Sequence, residues 1–190
     1  MQKLIRDLIE ESIKVKEGVL KGLTDDIKKA ADAVIGSIGS GGKVLVFGNG
    51  GSAADSQHLA AELVGRFKKE RRALPAIALT ANTSTMTAMA NDYSFDKIFA
   101  REIEALGKKG DIAVAISTSG NSKNVIEAVK KAKELGIKTI GLLGCGGGML
   151  KELCDIPLVV ASDSTPRVQE SHVMIIHIIC QIVEDECTQS

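Results

Sequence analysis

The sequence predicts a doubly wound α/β fold of flavodoxin-like strand order 2-1-3-4-5. A five-stranded parallel sheet is preceded by two extra helices, in a single domain over residues 1–190. Three observations carry this expectation. Five short, nearly continuous apolar runs recur along the chain, at 43–47, 75–80, 111–116, 137–143 and 156–160. A stretch of helical spacing separates each run from the next. Right-handed crossovers then leave one arrangement of helices on both faces of the sheet.

The elements follow in order. Residues 2–20 place Leu4, Ile5, Leu8, Ile9, Ile13 and Leu20 near one helical face. Thr24 is the expected N-cap of a second helix, with Asp25 and Asp26 at its positive end. Ile27, Ala31, Val34, Ile35 and Ile38 form that helix's stripe, and Gly39-Ser40-Gly41-Gly42 ends it. These two helices, within residues 1–40, precede the first strand. They either pack on the domain or meet copies of themselves in an oligomer. Helices then follow at 52–66, 84–106 with a break near Asn91, 122–135, 148–154 and about 166–186.

Composition narrows the function classes. Lys+Arg and Asp+Glu are equal at 24 each, so no global field favours nucleic acid or an anionic membrane. With one Tyr and no Trp, base-stacking surface is scarce. The basic run Lys68-Lys69-Glu70-Arg71-Arg72 reads as a solvated helix end or loop. No apolar run approaches the roughly 18 residues of a membrane span. The first residues are charged throughout and lack a leader's cleavage pattern. Cys145, Cys154, Cys180 and Cys187 show no CxxC spacing and read as free thiols of a cytoplasmic protein.

In the predicted order the switch point falls between strands 1 and 3, where ligands bind outside the carboxyl ends. Strand 1 ends in Gly48-Asn49-Gly50-Gly51-Ser52. Gly48-x-Gly50-x-x-Ala53 fits the dinucleotide fingerprint formally. The acid that should hold the ribose is missing, since strand 2 ends Thr80-Ala81-Asn82. These glycines therefore read as backbone for a small ligand. The helix after the turn carries His58 and Glu62 at i and i+4, on one face. Such a pair serves as a surface contact, as two metal ligands, or with Glu62 as a general base.

Strand 3 ends in Ser117-Thr118-Ser119-Gly120-Asn121-Ser122 and opens directly into a helix. A helix start offers unpaired amides, and clustered hydroxyls add neutral donors. The pattern reads as a phosphate cradle. N-capping by Asn121 or Ser122 alone would need only one such residue. The final helix carries Gln169, His172 and His177. Gln169 and His177 are eight residues apart, about 12 Å along a helix axis. To share a site their side chains must converge, or one must come from another subunit. His177 sits in an apolar run and reads equally as a satisfied core residue. His172 lies off its face and is the most expendable of the three histidines.

Four segments together support a family resemblance: GNGGSAADSQHLAAELVGRF, ALTANTSTMTAMANDYSFDKIFAREIEALGKKGD, ISTSGNSKNVIEAVKKAKELG and TPRVQESHVMIIHIICQIVE. They resemble the sugar isomerase (SIS) family, over nearly the whole chain and in the same order, and within it the branch that acts on seven-carbon sugar phosphates. The resemblance implies substrate binding by Asn49, Gly50, Gly51, Asn91 and Asp92. It implies that Ser117, Thr118, Ser119 and Ser122 hold the phosphate and nearby hydroxyls. It implies zinc ligands at His58, Glu62, Gln169 and His177, with Glu62, Gln169 and His177 lining the reacting end. It also implies a homotetramer with sites between subunits.

The implied reaction interconverts sedoheptulose 7-phosphate and D-glycero-D-manno-heptose 7-phosphate, feeding nucleotide-activated heptose for lipopolysaccharide or a related glycan. A base removes the proton beside the carbonyl, and the enediol is reprotonated on the neighbouring carbon. Glu62 is the expected base and His177 the expected acid. A metal-bound carboxylate is a poorer base, so Glu62 is expected to coordinate only in the resting state. Two other readings belong to different classes. One is a non-catalytic adapter that binds the replication initiator, a branch lacking the acid and the late histidine that this chain keeps. The other is a sugar-phosphate-binding regulatory domain.

Overall fold

The computed structural model describes residues 1–188. Its sheet is β1 (Val44–Gly48), β2 (Ala76–Ala78), β3 (Ile112–Ser117), β4 (Lys138–Leu143) and β5 (Ile156–Val159). All pairs are parallel and the order is β2-β1-β3-β4-β5, as the alternating pattern predicts. β1 and β3 are adjacent in register, Val46 beside Val114 and Gly48 beside Ile116. The switch point therefore stands at their carboxyl ends.

The helices are α1 (Gln2–Gly22), α2 (Thr24–Gly39), α3 (Gly51–Val64), α4 (Thr83–Asp92), α5 (Ile98–Leu106), α6 (Lys123–Glu134), α7 (Gly148–Leu153) and α8 (Thr165–Cys187). Alternate strand residues feed two cores. Val44, Val46, Ile112, Val114, Ile140 and Leu142 pack against α2, α3 and α8. Leu45, Phe47, Ala113 and Ala115 pack against α5, α6 and α7. There the Phe47 and Phe99 rings meet at 5.5 Å between centroids.

Several local expectations change. β2 keeps only three residues of the predicted 75–80. It is an edge strand of small residues, and Pro75 before it has no amide to donate. The break expected near Asn91 in the 84–106 stretch is present: the helix ends at Asp92 and resumes at Ile98 through a 3-10 turn at Phe95–Lys97. Thr24 does not cap α2: its hydroxyl donates back to the Leu20 carbonyl at 2.8 Å. The N-cap position is Leu23, with no side-chain bond.

Helix α1 buries only Ser12 and Val19. It is tied to α8 by polar contacts: Ser12 Oγ donates to Glu170 Oε2 at 2.7 Å, and Arg167 donates to the Leu8 carbonyl at 3.0 Å. Its apolar stripe, Leu4, Ile5, Leu8, Ile9 and Ile13, faces outward. A groove of about 1150 Å³ runs beside it between α1, α2 and α8, floored by Ile27, Ile35, Met174, Ile178 and Ile182. Among the described residues no helix is long and apolar enough to cross a membrane.

Candidate active site at the sheet switch point

The first wall is the turn after β1. Gly51, the first residue of α3, lies against the side chain of Gln169 from α8 so closely that a Cβ there would overlap the amide. That close approach is why a residue without a side chain opens the helix. Asn49 is spoken for in a different way. Its amide and that of Asn124, in the first turn of α6, donate to each other, both at 2.8 Å. The β1 turn is thereby pinned to the β3 side of the crevice. What Asn49 offers a ligand is its backbone and that of Gly50, not a free side chain.

About two turns further along α3 stands the second group. His58 Nε2 is 2.8 Å from His177 Nε2 and 3.5 Å from Glu62 Oε1. One ligand atom from each of His58, Glu62 and His177 fits within 4.8 Å. Both histidines belong to the same chain, so α8 needs no second copy to bring His177 to α3. The apolar run around His177 does not bury it: it is half-exposed, on the wall of a groove of about 810 Å³. The Phe67 ring packs on it at 5.6 Å between centroids.

Phe67 is held by a buried ion pair. Glu184 is fully buried and accepts from the backbone amides of Phe67, Lys68 and Lys69 at 2.7–2.8 Å. Arg71 Nε lies 3.2 Å from Glu184 Oε1. The Arg71 guanidinium also donates to the carbonyls of Glu62 and Leu63, closing the end of α3. Burial pushes the Glu184 carboxyl upward, but the three amides and Arg71 outweigh it and hold the group below its usual range. The basic run at 68–72 is therefore not simply a solvated loop, because Arg71 is an internal anchor for the site.

The third wall is the hydroxyl run. Ser117 Oγ is 3.0 Å from Ser122 Oγ and 3.4 Å from Ser119 Oγ. Ser122 occupies the N-cap position of α6 but makes no side-chain cap bond. Asn121 does not cap it either: its Oδ1 accepts from the Met149 amide at 3.0 Å. Simple N-capping by Asn121 or Ser122 is thus excluded as the reason for these residues; the Val125 amide in the first turn is taken by Asn124 Oδ1 at 2.9 Å.

Two predicted residues stand apart. Asn91 and Asp92 are exposed at the end of α4, on the opposite helical layer from His58. They bond each other, Asn91 Nδ2 donating to Asp92 Oδ1 at 2.8 Å. Among the described residues no hydrogen bond or ion pair joins them to the switch point. Gln169 packs on Gly51 and hydrogen-bonds Asp55, which also interacts with His58. Asp55 is buried with Oδ2 unpartnered. Burial raises its carboxyl while Gln169 and His58 pull the other way.

Sequence reasoning missed Asp55, Asn124 and the Arg71–Glu184 pair. Asp55 had a readable signal, an acid one helical turn before His58 on the same face. Asn124 and Glu184 had none, since their partners lie 75 and 113–117 positions away.

A family model described as the SIS domain matches residues 8–144. The chain belongs to the SIS family. Among curated SIS relatives, the phosphoheptose isomerase of Clostridium acetobutylicum is 55% identical over 188 residues, covering 98% of this chain and 96% of that one. Two solved structures are similar over 97% of this chain and 98% of theirs. The phosphoheptose isomerase GmhA of Neisseria gonorrhoeae superposes with a TM-score of 0.92 at 42% identity. A phosphoheptose isomerase from Francisella tularensis gives 0.94 at 41%. The doubly wound fold inferred from the strand pattern is thus matched over 97% of the chain.

Proposed function

We infer that this chain is a phosphoheptose isomerase, interconverting sedoheptulose 7-phosphate and D-glycero-D-manno-heptose 7-phosphate. The observation that carries the reading is the pairing of two chemistries on adjacent strands. A hydroxyl-lined helix start ends β3, and an acid with two histidines stands on the helix after β1. A phosphate held at Ser117, Thr118, Ser119 and Ser122 would leave the sugar's other end to Asn49, Gly50, Gly51 and the histidine side. Relatives 55% identical over nearly the full chain carry the same name.

The donor set of two imidazoles and one carboxylate suits zinc with an open position. His58, Glu62 and His177 would hold the ion, with Gln169 buttressing the turn beside them. When bound, zinc supplies a Lewis acid for substrate oxygens. Glu62 takes the proton next to the carbonyl and returns it to the neighbouring carbon. His177 exchanges the proton on oxygen. Phe67 and the Arg71–Glu184 anchor fix the ring of His177 for that task.

The working unit is a homotetramer in the cytoplasm. Two features support the assembly. The outward apolar stripe of α1 adjoins an apolar groove of about 1150 Å³, a contiguous surface of the kind that meets a partner. Asn91 and Asp92 are exposed at the end of α4 and their side chains bond only each other among the described residues, so a second copy would meet them there. The free cysteines, with Cys154 and Cys180 buried, suit a reducing compartment. The test is incubation of the purified protein with sedoheptulose 7-phosphate, with and without chelator. Aldose phosphate forms, and Glu62→Gln slows it about 10²–10⁴-fold. No aldose under either condition rejects the enzyme; full activity of the variant rejects Glu62 as base.

A further inference from the structure

The hydroxyl run after β3 does not hold its own shape. A second loop, between β4 and α7, is moulded onto it. Gly120, at φ +66°, sits so close to the Gly147 carbonyl that a Cβ on Gly120 would overlap it. The Leu150 amide donates to the Gly120 carbonyl at 3.1 Å. Gly148, at φ +50°, faces the Asn121 amide, and a Cβ there would stand 2.6 Å from it. Asn121 joins the two loops through its side chain. Oδ1 accepts from the Met149 amide at 3.0 Å, and Nδ2 donates to the Ser119 carbonyl at 3.1 Å. The Asn121 backbone N–H donates to Ser119 Oγ at 3.2 Å.

We propose that Asn121 is a positioning residue for phosphate recognition, setting the hydroxyls of Ser117, Ser119 and Ser122 by bridging them to the Met149 amide, just past the glycine loop at 146–148. The inference rests on reading 117–122 as the phosphate cradle. Two relationships argue for positioning over direct contact. Both ends of the Asn121 amide are already used on protein groups, so it has little left to give a ligand. Those groups are backbone of the cradle itself and of an element that carries no other site residue. The glycines in the second loop matter because the two backbones approach more closely than side chains allow. The consequence is specific: loosening this bridge should weaken the hold on the phosphate without touching the proton chemistry at Glu62 and His177.

The test uses the full chain, with sedoheptulose 7-phosphate as substrate and inorganic phosphate as competitor. Asn121→Ala loses both side-chain bonds. Its KM and its inhibition constant for phosphate should rise together, by about tenfold, while kcat stays within about twofold. Gly148→Ala crowds the same amide from the other side and should shift the same two constants. It decides the matter if Asn121→Ala does not fold. A role in stability alone would lower the melting temperature and leave both constants unchanged in the folded protein. That result, or a fall in kcat with KM unmoved, overturns the inference while wild-type inhibition by phosphate still upholds the cradle. If phosphate does not compete in the wild type, the cradle reading fails first and the inference falls with it.

Discussion

Asn49 and Asn124 form a closed amide pair, each donating to the other at 2.8 Å across the crevice between β1 and β3. Asn124 is almost fully buried, so its donor and acceptor have no water to fall back on. The pair sets the spacing between the sugar-side turn and the hydroxyl run. Asn124→Ala should lower the melting temperature and reduce kcat/KM about tenfold, read by steady-state kinetics well below the melt. A lower melting temperature with unchanged kcat/KM would make the pair purely structural.

The resemblance assigned zinc ligation to four residues, and three of them place donor atoms within 4.8 Å of one another. These are His58, Glu62 and His177; Gln169 packs on Gly51 and bonds Asp55, which also interacts with His58. Loss of a converging ligand should remove stoichiometric zinc. Loss of Gln169 should act through the shell around the ligands and weaken affinity about 10–100-fold. Metal analysis of gel-filtered His177→Ala and Gln169→Ala, followed by chelator competition, separates them. Equal loss of zinc from both variants would make Gln169 a direct ligand.

Most of the sheet was legible in the sequence because its strands are buried on both faces and read as continuous apolar runs. The exception shows the reason. β2 lies at the edge with Ile77 part-exposed, and its small residues mark only three positions clearly. The switch-point turn and the hydroxyl run were legible because glycine and serine cluster there for local reasons. His58 and Glu62 were visible as a helical pair. What joined them to His177 came only through the family resemblance, since a separation of 119 residues leaves no local signature. The same holds for Arg71, which reads as part of a charged run until Glu184 is brought to it.

That buried pair makes its own prediction. Glu184 holds three amides of the 67–69 segment and faces Arg71, both side chains nearly inaccessible. Removing one member leaves an uncompensated buried charge. Glu184→Ala should destabilise the fold by about 3–5 kcal/mol in urea unfolding. It should also free the Phe67 loop that packs on His177. Activity should therefore decline before the global transition, at denaturant concentrations where the far-UV signal is still native. Coincident loss of both signals would show that the anchor serves the fold alone.

The last prediction concerns two buried titratable groups away from the chemistry. Burial pushes the Glu102 carboxyl, on α5, up to about 7, and its Oε2 has no partner. Below its ordinary pKa of 4.5 the group is neutral folded or unfolded and contributes no penalty. As pH rises toward 7 the unfolded chain ionises first, so stability falls through that window and levels off above it. His172 works in the other direction. Burial drives its pKa down to about 4, the Leu143 carbonyl opposing weakly. The unfolded chain therefore gains a proton first as pH falls from 6.5, and stability is lost toward 4. Wild-type stability should consequently vary little where the two slopes oppose. Glu102→Gln removes one slope and leaves the other. At pH 8 the variant should be more stable by about 2 kcal/mol, raising the melting temperature by roughly 4–8 °C at fixed protein concentration. At pH 4.5 the gain should vanish. Melts of both proteins at the two pH values cancel the His172 contribution in the difference, and an equal gain at both would sink the assignment to Glu102.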